Sequence, residues 1–102
     1  MMTETAFACR LGDAGLAARR QQIAAGLLPL VTARVDLADG VALHFPGSAG
    51  VFTDVSGFVA IERECCPFLS FEIIARQDGG EIVLRIRGPE GAQTFLRELV
   101  AA

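Results

Sequence analysis

The chain contains no tryptophan and no tyrosine, so seven phenylalanines carry all of its aromatic packing. It has one histidine, so imidazole chemistry rests on a single side chain. Positive charge is not in excess: nine basic residues face twelve acidic ones, for a net charge of −3. That balance argues against a globally basic nucleic-acid surface. No apolar run approaches the roughly 18 residues that span a bilayer, and Met1–Thr5 lacks the basic start and apolar run of a signal peptide. Cysteine is scarce as well, with three residues and no C-x-x-C spacing.

The 102 residues that remain to be explained are 52% hydrophobic and 21% charged. Intrinsic disorder needs the opposite balance. The length suits one domain, residues 1–102, with one ordinary core. A reducing, cytoplasmic setting is the expectation, and it implies that Cys9, Cys65 and Cys66 are thiols and not a disulfide framework.

Hydrophobic periodicity assigns the elements. Phe7–Leu11 alternates as a short strand. Asp13 is a candidate cap for a helix from Leu16 to Leu28, with Leu16, Ile23 and Leu27 on one stripe and Pro29 ending it. Val31–Leu37 and Val41–Phe45 alternate around Asp39-Gly40, a hairpin signal. Val31, Ala33, Val35 and Leu37 are expected on the same face as Val41, Leu43 and Phe45. A second helix runs from Val51 to Cys65, with Ser48 as a candidate cap and Pro67 as the stop. Two more strands, Leu69–Arg76 and Glu81–Arg87, flank Asp78-Gly79-Gly80. Gly88-Pro89-Glu90 opens a last helix whose stripe is Ala92, Phe95, Leu96, Leu99 and Val100.

The order βαββαββα, with hairpin-linked strands, predicts an α+β two-layer sandwich with a mostly antiparallel sheet and helices on one face. The other sheet face would carry Thr32, Arg34, Asp36, His44, Ser70, Glu72, Arg76, Arg85 and Arg87. Its apolar members, Ile74 and Val83, are a candidate homodimer contact. His44 falls on this outer face and is left out of any site.

Glu62-Arg63-Glu64-Cys65-Cys66-Pro67-Phe68 is the most unusual run. Counted from Val51 at 100° per residue, Glu62 falls at about +20°, Cys65 at about −40° and Cys66 at about +60°. Both cysteines flank the apolar stripe, and a carboxylate sits in its middle. A buried charge needs a partner. Arg20, at about +40° from Leu16, falls on the inner stripe of the first helix. A Glu62–Arg20 pair would satisfy both, either as a structural ion pair or as a support for a site.

Cys9 shares its strand face with Phe7 and Leu11, so three sulfurs could converge. Thiolates select soft metal ions, and three of them are one ligand short of a closed zinc site. Plain packing of each cysteine as a small hydrophobe is the competing reading. A nucleophilic cysteine is disfavoured, because the pair lies at a helix C-terminus next to acids and has no histidine in phase.

Ala60–Phe71 resembles a small bacterial family of uncharacterised function, whose members have a run similar to A-x-E-x-x-C-C-x-F, then two strands, then G-P-E-G-A. The likeness extends through Gly88–Ala92, Phe95-Leu96, Cys9-x-Leu11 and Arg19-Arg20. A similar run occurs in tails fused to some mercury-responsive, MerR-type regulators. The resemblance implies a link to soft metals and points to Cys9, Cys65 and Cys66 as ligands. Glu62 and Arg20 would then support them from behind. The regulators' DNA-binding helix-turn-helix has no counterpart here.

Three functions therefore stand as expectations. One is binding of a soft metal ion or thiol ligand by the cysteine cluster. The second is a thiol enzyme or redox sensor using Cys65 and Cys66. The third is a non-catalytic binding or oligomerisation module with the cysteines as core. The expected partner is a small ligand or metal ion, with neither nucleic acid nor membrane.

Overall fold

A computed structural model describes residues 14–91, and within the first helix the side chains of residues 18, 21–23 and 25–27. The expected strand Phe7–Leu11, the Asp13 cap, the side chains of Leu16 and Arg20, and the last helix stripe lie outside the described residues.

Helix α1 spans Ala14–Leu27. Pro29 has no N–H to continue an α-helix, and the chain tightens into a 3-10 turn over Leu28–Leu30, with Val31 N–H donating to the Leu28 carbonyl at 3.1 Å. Leu27 is fully buried and Ile23 packs against the core, as the stripe required.

Strands β1 (Ala33–Leu37), β2 (Gly40–Phe45), β3 (Ser70–Ala75) and β4 (Ile82–Arg87) form one antiparallel sheet in the order β1-β2-β4-β3. Helix α2, Ala49–Cys65, lies between β2 and β3 in sequence. The class is α+β, as expected. No helix among the described residues is long and apolar enough to cross a membrane.

Ser48 caps α2: its side chain accepts from Val51 N–H at 3.2 Å, which satisfies one of the donors a helix start leaves open. The helix then buries Val51, Val55, Phe58, Glu62 and Cys65, a spacing of three and four residues that keeps one face inward. That face shares a core with Val41, Leu43 and Phe45 of β2, Ile82, Leu84 and Ile86 of β4, and Leu27 of α1. The register supplies the sheet side: Leu43 stands opposite Leu84, and Leu84 opposite Ile73.

The face assigned to β1 is corrected. Leu37 pairs with Gly40, leaving Ala38-Asp39 as a two-residue turn. Odd residues of β1 then stand beside even residues of β2: Val35 opposite Ala42, and Ala33 opposite His44. Turn length sets register, and register sets which face a residue occupies. Ala33, Val35 and Leu37 therefore lie on the outer face, and Val35 is 48% exposed. Arg34 and Asp36, expected outside, share the face of Leu43 and Val41. Val83, expected to offer apolar surface on the outer face, is only 1% exposed.

Asp39 locks this hairpin to the end of β4. Its carbonyl accepts from Gly88 N–H at 2.9 Å, and its carboxylate accepts from the Arg87 guanidinium at 2.9 Å.

Candidate functional site

Helix α2 ends where the sequence changes chemistry. Pro67 pushes the preceding residue out of helical geometry, and Cys66 takes φ −128° and ψ 74° as the C-cap. Its N–H still donates to the Glu62 carbonyl at 2.7 Å. Leu69 N–H donates to the Cys66 carbonyl at 3.0 Å, folding the chain back toward β3. The last turn of α2 is thus held from both sides.

Three side chains meet inside that turn. Glu62, Cys65 and Cys66 are each 0% exposed. The phase expectation for this face is met: a carboxylate and two sulfurs lie in the core among Val55, Phe58 and Leu69. Glu62 Oε1 lies 3.6 Å from Cys66 Sγ.

The oxidation state differs from expectation. Cys65 is a thiol. Cys66 is disulfide-bonded, and its partner sulfur lies outside the described residues. The expectation of reduced sulfur is corrected at Cys66. The physical consequence is direct. A disulfide sulfur has no proton to donate, so the 3.6 Å approach is a packing contact in this state. In a reduced Cys66 the same distance would suit an S–H donating to the carboxyl oxygen.

Among the described residues, no group of three His, Cys, Asp or Glu side chains is placed to hold a metal ion. Cys9, the third ligand expected from the sequence, lies outside the described residues, as does the Arg20 side chain expected to meet Glu62. An oxidised Cys66 offers no thiolate, so the expected three-sulfur donor set fits a soft ion only after reduction.

A second polar cluster sits on the outer face, at the β2–β4 end. His44 Nδ1 lies 3.0 Å from Glu81 Oε1, and Arg76 Nε donates to Glu81 Oε2 at 3.1 Å. The hydrogen bond with His44, then that with Arg76, holds the Glu81 carboxyl below its ordinary range. Sequence reading placed His44 on the outer face correctly but missed this cluster. No local spacing announces it, because it depends on β4 lying next to β2.

Comparison of the chain with protein-family models, with curated proteins and with solved structures gives no match.

Proposed function

We propose that the chain is a thiol–disulfide module whose centre is the last turn of α2. Cys66 alternates between a disulfide and a thiol, and Glu62 accepts the hydrogen bond of the thiol form. The observation that carries this reading is an oxidised Cys66 with a fully buried carboxylate oxygen 3.6 Å from its sulfur, next to the Cys65 thiol. With Cys65 a thiol, Cys9 is the cysteine the sequence leaves as an in-chain partner.

The exchange is a two-electron step. A thiolate of an external reductant attacks a sulfur of the disulfide and forms a mixed disulfide. The displaced sulfur leaves with the electron pair and takes a proton from water. A second reductant thiol resolves the mixed disulfide, and the two reductant sulfurs depart joined to each other. Cys66 is then a thiol whose S–H donates to Glu62.

Counting thiols in denatured protein tests this. Protein equilibrated in a mildly oxidising glutathione buffer should show one reactive thiol per chain, and three after dithiothreitol. Three thiols before dithiothreitol would sink the reading.

A second reading concerns the reduced state. Opening the disulfide leaves Cys66 as a thiol in the same turn as the Cys65 thiol, and with Cys9 these form the soft-ion donor set. Titration with Cd(II), followed by sulfur-to-metal absorbance, should then give binding by reduced protein and none by oxidised protein. Equal binding in Cys65→Ser and Cys66→Ser would remove it. For the overall architecture, we take the two-layer βαββαββα sandwich as the arrangement. The core formed by α2 with Val41, Leu43, Phe45, Ile82, Leu84 and Ile86 supports it.

A further inference from the structure

A cavity of about 550 Å³ opens between α2 and β3, lined by Val59, Arg63, Leu69, Ser70, Phe71 and Ile73. Its helix side is one stripe. Val59, Arg63 and Cys66 stand at i, i+4 and i+7, so they follow one another along the same flank of α2. Its far end is the turn in which Leu69 N–H bonds the Cys66 carbonyl at 3.0 Å. Cys66 is not itself a lining residue; it lies on the same helix flank, about one turn beyond Arg63.

The chemistry of the lining is asymmetric. Val59, Leu69, Phe71 and Ile73 make an apolar wall, and Arg63 is the one charge among the described residues that line it. Arg63 is exposed, and among the described residues no carboxylate pairs with it. Its neighbour Glu64 leaves the helix about 100° further round. A cation beside an apolar slot complements a small molecule with a carboxylate and a short carbon chain.

We infer that this cavity docks the reductant of the disulfide, and that the reductant is a low-molecular-weight thiol bearing a carboxylate, held by Arg63. The inference rests on the thiol–disulfide reading and names its substrate class. The docked thiolate attacks Cys66 Sγ, the disulfide breaks, and its electron pair leaves on the partner sulfur, which is protonated by water. A second molecule of the same thiol attacks the mixed disulfide. It releases Cys66, which takes a proton, and departs joined to the first as a symmetrical disulfide. Two thiols thus supply the two electrons. Cys66 is 0% exposed, so the Cys66–Leu69 turn opens for the attack. That cost is shared by all small thiols, whereas the charge preference arises in docking.

The test uses the full oxidised chain and three probes: 3-mercaptopropionate, 2-mercaptoethanol and cysteamine, which are anionic, neutral and cationic. Opening rates are compared for each thiol between the parent and Arg63 variants, which removes differences in intrinsic reactivity among the thiols. Arg63→Ala should slow 3-mercaptopropionate by about three- to fivefold, the range expected of an exposed ion pair. It should leave 2-mercaptoethanol unchanged. Arg63→Lys should restore most of the rate, and added salt should erase the difference. A net charge of −3 disfavours anions, so a preference of this kind has to be local. Equal slowing of all three thiols, or no slowing of the anionic one, would overturn the assignment of Arg63 while leaving the redox reading intact. If neither these thiols nor dithiothreitol opens the bond in folded protein, the redox reading itself falls.

Discussion

Glu62 is the residue at which energetics and chemistry meet. A fully buried carboxylate costs several kcal/mol of desolvation unless it is well partnered, and its position 3.6 Å from Cys66 Sγ links that burden to the sulfur's oxidation state. Glu62→Gln keeps the shape and replaces the carboxyl with an amide. It should weaken the acceptor for the reduced thiol and shift the thiol–disulfide equilibrium toward the disulfide by about fivefold, the equivalent of roughly 1 kcal/mol for a weakened hydrogen bond. Redox titration in glutathione buffers reads that shift, and no change would detach Glu62 from the couple. Glu81 gives a pH prediction. Its carboxyl is held below the ordinary range by His44 and then Arg76. Its contribution to stability is therefore complete above the ordinary glutamate range and is lost as pH falls through the lowered value. Glu81→Gln should flatten that part of the acid-unfolding profile. An unchanged profile would show that the pairing adds nothing in solution.

At the scale of elements, register decides what each strand residue does. Val35 and Leu43 both read as core residues in an alternating pattern, yet Val35 is 48% exposed and Leu43 is 1% exposed. Val35→Thr should change stability by less than about 0.5 kcal/mol, whereas Leu43→Ala should cost about 2–5 kcal/mol in urea unfolding. Similar costs for the two would contradict the Leu37–Gly40 pairing. Gly40 is part of the same device. A Cβ on it would collide with the Ile86 carbonyl oxygen, a contact that forces the backbone to move. Gly40→Ala should therefore destabilise by at least about 1–3 kcal/mol, and its effect should appear in the β2–β4 pair. Amide exchange rates in β2 and β4 would report it.

Over the whole molecule, the proposed Cys9–Cys66 link would tie the C-cap of α2 to a residue far away in sequence. Closing a long loop restricts the unfolded ensemble, and such a link is typically worth about 2–4 kcal/mol. Dithiothreitol should lower the urea midpoint of the parent and leave Cys66→Ser unaffected. Equal responses would place the disulfide's stabilising effect elsewhere. A change of this size would be a large share of the stability of a small domain.

The elements themselves were legible from local chemistry. Ser48 and Pro67 bracket α2, Pro29 closes α1, and period-two alternation marks all four described strands. The inward phase of Glu62, Cys65 and Cys66 was legible for the same reason, since a helix fixes angular position from spacing alone. What depended on distance in sequence was not. The face of β1 turned on one residue of turn length, and the His44–Glu81–Arg76 cluster required β4 to lie beside β2. The disulfide at Cys66 required a sulfur from elsewhere in the chain. Periodicity is a local property of the chain and can be read in order; register, strand order and covalent cross-links are relations between distant segments, which only the folded core decides.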